Sequence, residues 1–571
     1  MGVLSVLRTV LTVGAVAVHC ATIPPQYSDH AEKIKRATKL LSERQADPIT
    51  EYDFRFETLT PSETLQWVDC YGSFKCSRLK VPLNYQNPSQ GNAAVAAMML
   101  PADPNVPFKG TIYLFPGGAG NPSEPFFISV ASIFQYYILE PGWNLVTWDA
   151  RGAGQTTPTL TCFATQEERY AFQMRGRALP ALTKATWPQY QAYYRDYNTK
   201  CQALSGDVIP HIGFIQTTRD LVSLATAMGQ SKINLWGFSY GANIGALLVA
   251  LYPQKVGKLV LDSVGKIHER FAPGTSVEFE LRDHSKMVEY FLRACHSTGK
   301  ASGEDGCAFY SSDIAAMRAR LENIQKKLVT NPITMPSPPG NYSSENFKQN
   351  MFSVLPGLAG AASYLWPALG ALLVDVETAL AGGAIGGVLT SFYQGGFAPY
   401  DPSPPVDGRQ QGSVDSQLGI PCTDSGPLGS ITQKEFEALL SKYNRKDPNF
   451  GTLFLQNYLV CTEWKGDNVE KLDFALLDQK TENTITFISH NIDPLGPVEG
   501  AKSMSRKFRN SRVIIIDAVG HTQLLGPNST PAYMQVHDIF NVPGYKAPRD
   551  LVLHSDPGTA GFGYTATTFG L

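Results

Sequence analysis

The chain has 571 residues, 43% of them hydrophobic and only 17% charged, against about 25% charged in an average globular protein. Its 50 Gly and 39 Pro are too few and too dispersed for a collagen-like or low-complexity protein. The 48 basic and 50 acidic residues leave a formal charge of −2 and no basic run longer than two, which excludes the clustered Lys and Arg of a nucleic-acid binder.

Met1 to Arg8 reads as a short n-region with one basic residue, and Val10–Val18 is an apolar run of nine followed by small residues. A bilayer crossing takes about 20 residues, so this run fits a signal-peptide core better. Residues 1–20 are expected to be a leader, cleaved after Ala17 or after Cys20, with an N-terminal core strand as the alternative. Residues 21–57 are expected to form an N-terminal extension, with Lys35-Arg36 a solvated basic pair on a helix-like stretch. Loss of Cys20 leaves eight cysteines in four sequence-local couples: Cys70 and Cys76, Cys162 and Cys201, Cys295 and Cys307, Cys422 and Cys461. An even set in an exported chain reads as disulfides; eight cysteines allow 105 pairings, and pairing within the local couples is preferred. Asn341 and Asn528 head two glycosylation sequons. No CxxC or HExxH occurs, so neither a metal nor a cofactor is expected.

Short strands are predicted at Arg78–Tyr85 and Ala94–Met99. Strand, Gly-rich turn and helix then alternate, which predicts a mostly parallel α/β sheet. The strands are Gly110–Phe115, Trp143–Trp148, Lys232–Trp236 and Lys258–Asp262, and the helices Thr217–Met228 and Ala242–Leu251. The alternation stops near Lys266 and resumes with strands Thr484–Ser489 and Arg512–Ile516. Residues 58–265 are therefore expected to form the first part of the core, 266–418 a mainly helical cap, and 419–571 the rest of the core. The one later apolar stretch, Leu355–Val388, is interrupted by Pro367, Asp375 and Glu377. Helical spacing of its apolar residues from Trp366 to Leu380 predicts an amphipathic cap helix. No membrane association is expected once the leader is gone, and the protein is expected to be secreted.

Gly237-Phe238-Ser239-Tyr240-Gly241 has the G-x-S-x-G form of a nucleophile elbow, with an apolar strand before it and a small-residue helix after it. A serine nucleophile needs a base, and the base an orienting acid, in the chain order Ser, acid, His. His521 follows the last strand and is the expected base; His490, at the end of the preceding strand, is its rival. His211, His268, His284 and His296 read as surface or cap residues. Asp493, in the loop after the 484–489 strand, is the expected acid. Asp262, at the end of an earlier strand, is the alternative, and Asp517 lies too close along the chain to His521. Backbone N–H groups of Tyr240 and Gly118 are the expected oxyanion donors.

The set PGGAG (116–120), WDARGAG (148–154), GFSYG (237–241), NIDP (491–494) and GH (520–521) resembles the α/β-hydrolases of peptidase family S33, specifically the secreted tripeptidyl-aminopeptidase-like branch. The likeness extends from about Tyr52 to Phe562. It implies an α/β-hydrolase fold with a large, mainly helical cap, and a secreted serine exopeptidase of the tripeptidyl- or prolyl-aminopeptidase kind releasing short peptides from free N-termini. Asp424 and Glu463 are the candidate anchors for a substrate's α-ammonium. Two other functions stay open: a carboxylesterase acting on a small-molecule or secondary-metabolite ester, and a non-catalytic hydrolase-fold binding protein. The expected partner is a peptide or small acyl substrate.

Overall fold

The computed structural model describes residues 54–555 except 273–275, 300–305, 356–361, 395–412 and 526–528, together with 32, 33, 35 and 36. The expected leader, most of the N-terminal extension and Asn528 lie outside the described residues.

The first half of the sheet is built from β1 (Val68–Cys70), β2 (Phe74–Pro82), β3 (Asn92–Leu100), β4 (Gly110–Phe115), β5 (Trp143–Trp148), β6 (Ile233–Phe238) and β7 (Val256–Asp262). Helix α1 (Glu124–Ile133) follows β4; α2 (Gln166–Arg177), α3 (Trp187–Ser205) and α4 (Phe214–Ala227) lie between β5 and β6; α5 (Tyr240–Leu251) joins β6 to β7. The expected strands and helices are all present, most of them longer than predicted by a few residues.

Ten strands pair in the order β1-β2-β3-β5-β4-β6-β7-β10-β11-β12, where β10 is Gln479–Ile492, β11 Phe508–Val519 and β12 Leu551–His554. Pairings up to β3–β5 are antiparallel and the rest parallel. The alternating pleat explains the nearly unbroken apolar runs, because both faces of the parallel part are covered. On β4, Tyr113 and Phe115 enter one core with residues of α4 and α5, whereas Ile112 and Leu114 enter the opposite core with residues of α1. This α/β-hydrolase fold matches the expected class.

The helical region runs through α6 (Ile267–Phe271), α7 (Ser276–Glu280), α8 (His284–Thr298), α9 (Ile314–Thr330), a hairpin of β8 (Ile333–Pro336) and β9 (Pro339–Tyr342), α10 (Ser344–Val354), α11 (Ala362–Leu380) and α12 (Gly387–Gln394). It continues through α13 (Ser413–Ser425), α14 (Gln433–Lys446) and α15 (Gly451–Thr462) before β10 begins. The boundary expected at 418 therefore falls inside α13, and two more helices follow it. The Cys422–Cys461 bridge binds α13 to α15. On α11, Trp366, Leu369, Leu372, Leu373 and Val376 are buried at helical spacing, as expected of an amphipathic helix. No described helix is long and apolar enough to cross a membrane.

All four local cysteine couples are bridged: Cys70–Cys76, Cys162–Cys201, Cys295–Cys307 and Cys422–Cys461. After β11 come the short α17, which follows α16 (Val498–Lys507) in chain order and spans Thr522–Leu525, and then α18 (Thr530–Asn541).

Candidate active site

Ser239 stands between the last residue of β6 and the first of α5, at φ 53° and ψ −107°, a strained conformation for a residue with a side chain. Its neighbours explain why the turn tolerates nothing larger than glycine on either side. A Cβ on Gly237 would lie 2.3 Å from the Gly241 carbonyl oxygen, and one on Gly241 would lie 2.2 Å from that of Phe115. The Ser239 N–H donates to the Asp262 carbonyl at 2.7 Å, which ties the elbow to the end of β7. Ser239 is half-buried.

The Gly-rich turn after β4 packs directly on the elbow. Gly241 N–H donates to the Pro116 carbonyl at 3.1 Å, and a Cβ on Gly117 would come within 2.8 Å of Ser239 Cβ. Gly118 sits at φ 78°, with Asn121 folded against it. Neither the Gly118 N–H nor the Tyr240 N–H has an acceptor among the described residues. Two backbone donors beside a serine hydroxyl suit a developing oxyanion.

One residue that holds this turn has no role in the sequence reading. Asp149, at the end of β5, accepts from the Ser123 N–H at 2.6 Å and the Gln155 N–H at 2.7 Å. Burial pushes its carboxyl up to about 6, and the backbone N–H groups of Gln155, Ser123 and Glu124 oppose that rise. The motif WDARGAG contains the residue, but nothing in its spacing says which backbone it will hold.

His521 and Asp493 are brought together. His521 Nδ1 donates to Asp493 Oδ1 at 2.8 Å and lies 3.0 Å from Oδ2, with both side chains buried. Asp493 Oδ1 also accepts the N–H groups of Leu495 at 2.9 Å and Gly496 at 2.8 Å. Burial alone would raise the Asp493 carboxyl, but the His521 charge and hydrogen bond, with those from Gly496 and Ser263, hold it below the usual carboxylate range. The loop carrying His521 is pinned at both ends. Gly520 N–H donates to the Ile492 carbonyl at 3.0 Å, Thr522 N–H to Ser263 Oγ at 3.0 Å and Gln523 N–H to Asp262 Oδ2 at 2.8 Å. Asp262 thus anchors Ser239 through its backbone and the His521 loop through its side chain. No hydrogen bond joins Ser239 Oγ to His521 among the described residues; such contacts are often long before substrate binds and tighten with it.

The alternatives lie elsewhere. The Asp262 carboxyl is pushed up to about 7 by burial, despite the Gln523 N–H and the His521 charge. Asp517 faces Asn491 and His554, at 3.5 and 3.6 Å. His490 is buried within β10. His284, expected to be a surface or cap residue, lies in the cap, fully buried at the start of α8 among the rings of Phe352, Phe450 and Phe454. Burial pushes its imidazole down to about 3, so it is neutral, and the preceding Asp283 accepts the Asp493 N–H at 3.2 Å.

The two candidate ammonium anchors are both engaged by protein donors. Asp424 is buried and accepts from the Phe214 N–H at 3.0 Å and Asn468 Nδ2 at 3.1 Å. Glu463 pairs with Arg195 at 3.4 Å and accepts from Ser430 Oγ at 3.0 Å. Asn341, the third residue of β9, is exposed. Among the described residues no group of three His, Cys, Asp or Glu side chains is placed to hold a metal ion.

Residues 110–305 match the family described as alpha/beta hydrolase fold, and residues 447–542 the one described as TAP-like protein. The chain is 27% identical to a tripeptidyl aminopeptidase of Streptomyces coelicolor over 208 residues, 35% of this chain and 38% of that protein. It is 23% identical to the serine protease Hip1 of Mycobacterium tuberculosis over 251 residues, 42% of this chain and 46% of that protein. The chain thus spans less than half the length of these curated relatives. Among solved structures, an acetylester hydrolase from Corynebacterium glutamicum aligns over 82% of this chain and 96% of its own, with 12% identity and a TM-score of 0.33.

Proposed function

We propose that this chain, which belongs to the TAP-like α/β-hydrolases, is a secreted serine exopeptidase that removes short peptides from free N-termini through an acyl-enzyme. The observation that carries the chemistry is the buried His521–Asp493 pair, with the His521 loop pinned to the same β7 residue that holds the Ser239 backbone. In this reading Ser239 Oγ attacks the scissile carbonyl while His521 Nε2 takes its proton. The Asp493 carboxylate compensates the imidazolium, and the N–H groups of Gly118 and Tyr240 receive the oxyanion. His521 then returns the proton to the leaving amine, and water repeats the sequence to release the acyl group.

A carboxylesterase is the second reading. It is favoured by the commitment of Asp424 and Glu463 to protein donors, which leaves a free α-ammonium without either expected anchor. A panel of tripeptide, dipeptide and single-residue anilides beside short acyl esters, each peptide with and without an N-terminal block, separates the two. Turnover of unblocked tripeptides that disappears on blocking supports the exopeptidase. Ester turnover with no anilide cleaved replaces it with the esterase.

A further inference from the structure

A cavity of about 270 Å³ lies in the cap between α2, α3, α10, α12, α13 and α15. Aromatic rings form much of its wall, among them Phe172, Tyr193, Tyr197, Tyr342 and Tyr393. Side-chain amides of Gln173, Gln349 and Asn350 break the apolar surface. None of the residues in the proposed triad or oxyanion hole reaches it.

The charges in the wall decide what it can hold. Asp415 is the one carboxylate among the lining residues, and it is already satisfied. It takes Arg169 at 2.7 Å, the Tyr197 hydroxyl at 3.1 Å and the Cys162 N–H at 2.8 Å. The wall therefore offers a ligand cation no carboxylate free of protein donors. Arg177, in contrast, lines the cavity with no carboxylate partner among the described residues. A cavity walled by flat aromatic faces and carrying one uncompensated guanidinium favours a planar aromatic body with an anionic group.

The first turn of α13 stands between this cavity and the turn after β4. Asp415 and Leu418 face the cavity. Ser416 and Gln417 face the other way: Ser416 Oγ donates to the Gly152 carbonyl and Gln417 Nε2 to Asn121 Oδ1. A Cβ on Gly120 would lie 2.5 Å from the Gln417 nitrogen, and one on Gly118 would lie 2.1 Å from Asn121 Nδ2. The first turn of α13 thus reaches Gly118 through Gln417 and Asn121.

We infer that the cap cavity is a binding site for a planar aromatic anion, separate from the catalytic serine and coupled to it through the first turn of α13. The coupling rests on the oxyanion role of Gly118; the binding does not.

The test uses the full chain and two probes that share a skeleton, 1-anilinonaphthalene-8-sulfonate and the uncharged N-phenyl-1-naphthylamine, followed by fluorescence. One molecule of the anionic probe should bind per chain, and binding should persist after fluorophosphonate treatment. Arg177→Gln should weaken the anion about tenfold, the size of one charge-assisted contact, and the neutral probe far less. Gln173→Trp fills the cavity and should abolish both, and Gln349→Trp, from another helix, repeats the result if the first variant is unstable. Saturation with the anionic probe should change kcat/KM toward a short acyl ester in the wild type and not in the filled variants. Binding that ignores all three substitutions, or that fluorophosphonate displaces, overturns the site. Binding without any change in kcat/KM overturns the coupling. Failure of Ser239 to label would refute the catalytic reading while leaving the binding result intact.

Discussion

Replacing Asp493 by Asn tests the triad at the carboxylate that holds the His521 imidazole. The substitution is nearly isosteric, and the local hydrogen bonds dictate how the amide will sit. Asp493 Oδ1 receives the Leu495 and Gly496 N–H groups at 2.9 and 2.8 Å, so the amide oxygen must take that position. The amide nitrogen then occupies the place of Oδ2, 3.0 Å from His521 Nδ1. There it donates a hydrogen bond to Nδ1 and forces the imidazole into the tautomer protonated on Nε2, which cannot accept the proton of Ser239. The imidazolium also loses its buried counter-charge. By analogy with other triads the loss in kcat should be about 10⁴-fold, or about 5.4 kcal/mol of barrier. Because both loop bonds survive, the thermal midpoint should move little. The assay is kcat and kcat/KM on the best substrate of the anilide and ester panel, with the rate of fluorophosphonate labelling as a second readout. Asp262→Asn should lower turnover far less and act mainly on stability, since its carboxylate holds the Gln523 N–H and makes no hydrogen bond to His521. Near-normal turnover in Asp493→Asn, with several orders of magnitude lost in Asp262→Asn, would refute the assignment.

Ser239→Ala should abolish fluorophosphonate labelling and nearly all turnover, as read by gel fluorescence and peptide mapping; label found on another serine contradicts the elbow. The eight cysteines of the described region should be blocked to thiol reagents until reduction, and peptide mapping should recover the four local bridges with no cross-pairs. Reduction should then lower the thermal midpoint, since native bridges commonly contribute about 2–5 kcal/mol. Asp424 gives a pH prediction. Burial pushes its carboxyl up to about 8, above the roughly 3.9 of an unfolded chain, so the folded state keeps a proton that the unfolded state releases. Its contribution is full below pH 4 and is lost as pH rises through 8, at up to about 1.4 kcal/mol per pH unit. Asp424→Asn, which mimics the protonated acid, should flatten the fall in thermal midpoint between pH 6 and 8; an unchanged slope measured by calorimetry contradicts the buried, protonated state.

The elbow was legible in the sequence because its requirements are local. Glycine at 237 and 241, an apolar strand before Ser239 and small residues after it all follow from backbone geometry within a few residues. The strands were legible for a related reason, since a parallel sheet buried on both faces needs unbroken apolar runs such as Gly110–Phe115. Chain order narrowed the candidate base to His521 and the candidate acid to Asp493 or Asp262. Which of Asp493 and Asp262 meets His521 is set by the direction each side chain takes at the end of its strand, and that depends on loops packed from other parts of the chain. The same holds for Asp424, whose partners Phe214 and Asn468 lie 210 and 44 residues away. It holds for His284, neutral inside a ring of phenylalanines, and for Asp415, which meets Arg169 across 246 residues to shape the cap cavity. A side chain's partner across such distances is set only when the whole core closes, and no periodicity or spacing within one segment carries it.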